Sequence, residues 1–430
     1  MKPPDRGTSV VLSGVALIVL TLAVSALLAP GIATPGAGNE TLVGIHGGGT
    51  GWHEKGGVFL LNGSTEVWRE DSANSYFEVT ELGNGSVLTG FMDGGYEDCG
   101  PYEAPCSRTG FRVVEPGPDA GVLTEFTIPV RTAKNSEIHA AKPLPGGGVL
   151  VGDMEHERVF VREDGRITWQ WNASSFYDAP IDATKTDWLH LNDVDVLSAD
   201  RYLVSIRNAN QLLILERGEG VVEVINEDRT DGDDFDCSRN GQLDDTDGDG
   251  DVRCGNHTVL NHQHNPHWLG DGAVLVADSH NDRIVELHNQ SGTWVPVWSL
   301  ESAGGIPFDW PRDADRLPNG NTLITDTLNR RLVEVNDTGH VVWSYQTTNV
   351  PYEADRVPFG EQRPVPTYDG NVTDPVSDPP GDVPGLSLLL LGVKAVFPGT
   401  PYWFNELQLF LVLVGAGTAF VGGVFRYRSR

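Results

Sequence analysis

The sequence predicts an all-β chain: a six-bladed β-propeller with an N-terminal and a C-terminal transmembrane helix. Three observations carry this. A phrase of one apolar residue, a tight turn and a Val/Leu/Ile run recurs along the chain. Uncharged hydrophobic runs of membrane-spanning length lie near both ends. The four cysteines fall into two close pairs, Cys99 with Cys106 and Cys237 with Cys254, a pattern that suits an exported domain.

Taken in order, residues 1–9 carry Lys2 and Arg6 and precede the uncharged run Val10–Leu28. Basic residues stay on the cytoplasmic side, so residues 1–9 are expected inside and the chain beyond Leu28 outside. The run also reads as a cleaved signal peptide, with Ala26, Ala29 and Ala33 near its end. Export follows in both cases.

The repeats occupy residues 41–345. The recurring phrase is Leu82-Gly-Asn-Gly-Ser-Val-Leu, then Leu144-Pro-Gly-Gly-Gly-Val-Leu, Leu197-Ser-Ala-Asp-Arg-Tyr-Leu, Leu269-Gly-Asp-Gly-Ala-Val-Leu and Leu317-Pro-Asn-Gly-Asn-Thr-Leu. Each is strand, turn, strand. A second hairpin follows in most copies, as where Arg158–Arg162 turns at Asp164-Gly165 into Ile167–Trp171. Four short antiparallel strands make a propeller blade. Units begin near Phe77, His139, His190, His264 and Arg312, and Thr41–Glu70 supplies the sixth, with Val58–Asn62 and Thr65–Arg69 as its outer hairpin. A closed ring hides sheet edges that an open stack would expose.

Residues 346–385 read as a Pro-rich linker. Residues 386–404 open with apolar Leu386–Phe397, which is short and carries Lys394, and read as interfacial. Residues 407–425 are the second spanning run, and the tail 426–430 holds Arg426, Arg428 and Arg430, again placed inside.

Sixty acidic residues against thirty basic ones give a net charge of −30, and only six of the basic residues are Lys. Such self-repulsion is screened in molar salt, so the surface reads as a halophilic archaeal one. Without a basic stripe to replace phosphate counterions, nucleic acid is excluded as a partner. Eleven Trp and fifteen Phe supply a core that a disordered acidic chain lacks. Eight Asn-x-Ser/Thr sequons, from Asn39 to Asn371, suit a glycosylated surface protein. The cysteine pairs are expected to form local disulfides, with a four-Cys zinc site as the alternative.

Five residues before each repeated Leu stand Phe77, His139, Asn192, His264 and Arg312, and two before the last three stand His190, His262 and Trp310. Residues an even step apart share a strand face, so these groups are expected to converge at one end of the channel. A lone His on a strand is usually structural; repetition in one phase argues for a site. His267 is out of phase and reads as structural.

The stretches Trp188-Leu-His-Leu-Asn-Asp-Val-Asp-Val-Leu, Leu203-Val-Ser-Ile-Arg-Asn and Gln263-His-Asn-Pro resemble the arylsulfotransferase family over residues 41–345. The resemblance implies a six-bladed propeller that moves a sulfuryl group between phenols through a sulfated histidine, without a nucleotide donor. Carried over, His264 would be the nucleophile, His190 and Asn192 the His-x-Asn pair, Arg207 the arginine of Ser-x-Arg, and His139 the His opening an earlier blade. Arg312, Phe77 and Trp310 would bind substrate. The implied partners are a small phenolic donor, a phenolic acceptor and the membrane, with no cofactor for catalysis. Bacterial members carry an N-terminal β-sandwich, where this chain has a hydrophobic run.

The chemistry agrees with those residue types. An imidazole nitrogen can attack sulfur and split one difficult transfer into two easier steps. Arg207, a protonated His190 and the Asn192 amide would stabilise the sulfuryl oxygens, and His139 or His190 would deliver a proton to the leaving phenolate.

Asp245, Asp247, Asp249 and Asp251 form an acidic series suited to structural Ca²⁺, though the closing Glu is absent; a solvated acidic loop is the alternative. Other functions to weigh are a non-catalytic, glycosylated surface propeller binding protein or glycan, and a hydrolase with water as acceptor. A quinone-cofactor propeller lacks support because no Trp-docking repeat occurs.

Overall fold

The computed structural model describes residues 6–32, 39–49, 52–227, 237, 243, 245, 252–270, 272–368, 385–397 and 399–428. They form two compact units. One holds the two ends of the chain, and the other is the β-domain from Ile32 to Pro375.

The β-domain is a ring of six four-stranded antiparallel sheets. From the inner strand outwards, blade two is Ser75–Glu81, Val87–Tyr96, Cys106–Glu115 and Gly121–Val130. Blade three is Ala141–Pro143, Val149–Asp153, Arg158–Glu163 and Arg166–Asn172. Blade four is Leu191–Ser198, Arg201–Ile206, Gln211–Glu216 and Gly220–Ile225. Blade five is His264–Gly270, Ala273–Asp278, Arg283–Gln290 and Thr293–Leu300, and blade six is Pro311–Arg316, Thr322–Asp326, Arg331–Val335 and Val341–Gln346. The expected hairpins are present. The turn at Asp164-Gly165 has φ of 47° and 79°, the pair of left-handed residues a two-residue hairpin demands.

Blade one corrects the expected linker. Its outer strands are Glu40–Gly47, Gly57–Asn62 and Thr65–Glu70, but its inner strand is Val350–Arg356, antiparallel to Glu40–Gly47. The propeller therefore runs to Arg356, eleven residues past the boundary read at 345. Joining the last strand to the first closes the ring and leaves no inner edge bare. Residues beyond it also stay on the ring: Glu361 pairs with Lys142, and Tyr368 donates its N–H to Glu286.

Between blades the core is apolar and closely packed. Leu150, Val161, Val194, Val204 and Leu213 join blades three and four in one cluster, and Leu275, Ile284, Ala314, Ile324 and Val333 join blades five and six in another. Both disulfides form, Cys99 to Cys106 and Cys237 to Cys254, with Cα atoms 5.8 and 6.2 Å apart, so these cysteines hold no zinc.

The unit built from the chain ends holds helices Arg6–Leu28 and Glu406–Arg428, 23 residues each, and a shorter helix Leu386–Val396. At 1.5 Å per residue each long helix covers about 34 Å, enough to cross a bilayer core.

Candidate active site at one end of the central channel

The inner strand of every blade opens at the same end of the channel, and the residue five before each turn sits there. Five of these are Phe77, His139, Asn192, His264 and Arg312; the sixth is Tyr352, on the closing strand. Strand pairing is irregular at this level. Tyr352, Asn192 and Arg312 are each left over between two paired residues, and the ladder also shifts beside Phe77 and His264. Such bulges bend a strand and re-aim its side chains.

The residues two before this row do not follow strand alternation, which corrects the even-step argument. His190, His262 and Trp310 precede their strands with φ of 54°, 49° and 53°. Each is held by a side chain of the previous blade. Asn210 Oδ1 accepts from the His262 N–H at 3.0 Å and Asp282 Oδ1 from the Trp310 N–H at 2.7 Å. Glu157 accepts from the N–H groups of Leu189, His190 and Leu191 at 3.2, 2.6 and 2.9 Å. Glu157, Asn210 and Asp282 are themselves left-handed, at the same turn of blades three, four and five. A repeated clasp thus presents one loop residue per blade.

The convergence is dense. His139 stacks on Tyr352 with centroids 4.8 Å apart, lies 4.7 Å from Phe77 and 6.1 Å from His190. His264 lies 6.4 Å from both Tyr352 and Trp310. Arg312 spreads over Trp52 and Tyr352, 5.3 Å from each ring. Seven of the twelve histidines join this set through ring contacts, including His46, His53, His262 and His280. Phe77 is fully buried behind His46 and His139 and forms the wall.

Hydrogen bonds fix the tautomers. His264 Nδ1 lies 3.1 Å from the His262 carbonyl and 2.8 Å from Ser279 Oγ, whose own hydroxyl donates to the Pro311 carbonyl. A carbonyl only accepts, so Nδ1 carries the proton and Nε2 keeps its lone pair. Burial first, then the charges of Arg312 and Arg207, hold His264 well below the ordinary histidine range, so it is neutral at pH 7. His190 Nδ1 donates to Asp187 Oδ1 at 2.7 Å, which frees its Nε2. Burial and Arg207 lower His190 against the pull of Asp187. Its resting state is therefore the neutral base, not the expected imidazolium.

Unpartnered buried groups mark what this end of the channel lacks. Among the described residues, Arg207 Nε, Arg312 Nε, Trp52 Nε1 and Trp310 Nε1 are buried donors without acceptors. Arg312 Nη1 donates to His46 Nδ1 at 2.7 Å, which puts the His46 proton on Nε2, a fifth such donor. Buried donors of this kind cost free energy until an acceptor arrives. Two of them belong to guanidinium groups, so the fitting acceptor is an oxyanion.

His46, His53 and Glu137 bring ligand-type atoms within 4.8 Å of one another. The proton that Arg312 imposes on His46 Nε2 opposes metal there, because a ligating nitrogen must be bare. His53 Nε2 lies 3.1 Å from Glu137 Oε1 while its Nδ1 meets Ser75 Oγ, an arrangement complete without an ion. Of the proposed calcium ligands, Asp247, Asp249 and Asp251 lie outside the described residues, and no site can be built on Asp245 alone.

The other end of the channel is acidic. Just past the first row, Glu353 accepts from the Val79 N–H, Glu78 from the Ala141 N–H and Asp313 from the Ala354 N–H, each on the next blade. Burial pushes Glu78 up to about 7 and Glu353, Asp313, Asp193 and Asp355 well above the carboxylate range. His267 sits here, against Asp315 and the Gln362 carbonyl, apart from the imidazole cluster as expected. A cavity of about 280 Å³, lined by Lys142, Asp195, Asp355, Glu361 and Arg363, opens on this side.

The sequence reading missed His46, Trp52, His53, Glu137, Asp187, Ser279, His280 and Tyr352. Glu137 holds the same place, two before His139, that His190 holds before Asn192. Tyr352 lies five before Val357, but Val357-Pro-Phe-Gly lacks the repeated Leu–turn–Val phrase from which that spacing is counted.

No family model and no curated protein matches the chain. Solved structures similar to it include a Bacteroides caccae protein of unknown function, at 15% identity and a TM-score of 0.49, covering 74% of this chain and 98% of that one. A putative 6-phosphogluconolactonase from Bacteroides fragilis has 12% identity and a TM-score of 0.41, covering 76% and 99%. The periplasmic gluconolactonase of Pseudomonas aeruginosa has 11% and 0.40, covering 74% and 98%. At such identities no activity transfers to this chain.

Proposed function

We propose that this chain is an exported, membrane-anchored sulfotransferase that passes a sulfuryl group from an aryl sulfate to a phenol through a sulfated histidine, in the manner of the arylsulfotransferases its sequence resembles. One observation carries the reading: a neutral imidazole, His264, keeps its Nε2 lone pair at the end of the channel where the unpartnered donors are N–H groups of two arginines, two indoles and His46.

In the first half-reaction His264 Nε2 forms a bond to sulfur, the sulfur–oxygen bond to the aryl group breaks, and the aryl oxide leaves with the electron pair. Arg312 and Arg207 stabilise the sulfuryl oxygens. In the second, the acceptor oxygen bonds to sulfur as the N–S bond breaks, and the neutral His190 Nε2 takes the phenolic proton while Asp187 steadies the resulting imidazolium. His190 returns that proton to a leaving aryl oxide in the next turnover. Trp52 and Trp310 offer faces for the aryl rings.

The basic residues beside both long helices support a topology with the chain termini inside and the propeller outside. The sequons at Asn62, Asn84 and Asn172 are exposed, as glycan attachment requires.

The test is to mix the protein with 4-nitrophenyl sulfate and a phenol in high salt and follow nitrophenolate. Release that needs the phenol, and that falls at least a thousandfold in His264→Ala with the melting curve preserved, is expected. Unchanged turnover in the variant removes His264 from the mechanism; release without phenol makes the protein a hydrolase, and none with any acceptor makes it a binding module.

A further inference from the structure

The two long helices fit each other through notches. Gly7 and Gly14 on Arg6–Leu28, and Gly415 and Gly422 on Glu406–Arg428, are spaced seven apart on each helix, two turns, so each pair shares one face. A methyl group on Gly14 would sit 2.4 Å from the Gly415 carbonyl oxygen and 2.5 Å from the Ala419 nitrogen. One on Gly422 would sit 2.6 Å from the Val11 nitrogen, one on Gly415 2.8 Å from the Gly14 carbonyl oxygen, and one on Gly7 2.7 Å from the Arg426 nitrogen. These neighbours are backbone atoms, which cannot swing aside. The pairs Gly7–Arg426 and Gly14–Gly415 make the helices antiparallel.

Two polar contacts at the far end keep the same register. Gln408 Nε2 donates to Ser25 Oγ at 3.0 Å, and the Tyr402 hydroxyl donates to the Pro30 carbonyl. Large apolar side chains, among them Leu20, Leu27, Phe410 and Phe420, point outward. Lipid tails supply no hydrophobic drive between helices, so close backbone approach over small residues is what holds such a pair.

A leader that is cut away needs only length and apolarity. It has no use for a glycine face complementary to a helix at the other end of the chain. From this we infer that the N-terminal helix is retained in the mature protein, and that the membrane anchor is an intramolecular hairpin of the two ends of the chain. The propeller is then tethered through both its first and its last strand.

The experiment uses the full chain with Ser25→Cys and Gln408→Cys, made in its membrane and oxidised mildly. The expected product is a cross-link within one copy, seen as a monomer-sized band of altered mobility that reverts on reduction. Gly14→Ile should abolish it while Glu406–Arg428 still holds the protein in the membrane. Amino-terminal sequencing of the unmodified protein provides an independent reading and should begin within the first nine residues. A mature terminus beyond Ala26, a cross-link found only between two copies, or no cross-link in the cysteine pair would each overturn the hairpin.

Discussion

A guanidinium taken out of water normally comes with a carboxylate. Arg312 is 8% exposed, yet among the described residues no carboxylate lies within 4.0 Å; its one hydrogen bond goes to a neutral imidazole. Arg207 differs, because Asp187 stands 3.9 Å from it. An unpaired buried charge costs several kcal/mol, and a bound anion removes that cost. Under the proposed function, Arg312 should therefore dominate recognition of the aryl sulfate. Steady-state kinetics are expected to show Arg312→Ala raising KM at least tenfold, and Arg207→Ala raising it less. Arg312 is also the foremost charge depressing His264, after burial. Its loss raises the His264 pKa, so the acidic limb of kcat/KM should move to higher pH in Arg312→Ala. An unmoved limb would separate Arg312 from His264.

At the scale of elements, the blades are held in phase by the clasp from one turn to the next loop. Asp282 has φ of 50° and accepts the Trp310 N–H. Asp282→Ala removes the acceptor and places Ala where left-handed backbone is unfavourable, so a stability loss of about 1–3 kcal/mol is expected. Asp282→Asn keeps an oxygen and tolerates the backbone, and should melt close to the parent. Equal losses in both would mean that the carboxylate charge, not the clasp, matters.

The same scale explains what could be read from the sequence. The repeated Leu–turn–Val phrase is local, since turn chemistry and strand alternation act over a few residues, and it located five inner strands together with His139, Asn192, His264 and Arg312. The sixth inner strand, Val350–Arg356, has no such turn after it and opens beside a proline, so it resembled linker; its identity comes from pairing with Glu40–Gly47. His46, Trp52 and His53 were illegible because their blade takes its opening strand from the opposite end of the domain. Asp187 and Ser279 act through other side chains, and a partner three or fifteen residues away carries no pattern.

Across the molecule, buried carboxyl groups at both ends of the channel link stability to pH. Glu78 titrates near 7 and Glu157 near 8 in the folded chain, both raised by burial from an ordinary carboxylate value. Between the unfolded and folded values the native state holds more protons, so stability falls as pH rises through that window. His46, His139 and His264 are depressed, and their contribution is lost only below about pH 6.5. From pH 6.5 to 8 the acids are joined, in the same direction, by His156 and His267, which Asp153 and Asp315 raise, and the melting temperature at fixed salt should fall. Molar salt should soften the decline by screening a net charge of −30. A melting temperature that rises over this interval would contradict the assignment, and Glu78→Gln should flatten the slope.

The strand that closes the ring has one more consequence. Blade one is started first and completed last, so Glu40–Gly47 waits with an open hydrogen-bonding edge while the other five blades are synthesised. Contacts joined from such distant points form slowly. The nascent ring is therefore a gapped, sticky crescent until its last strand is made, and Tyr352 reaches the imidazoles only when the gap shuts. The ring of side chains at the channel mouth is thus assembled last, by the final strand of the domain to be made.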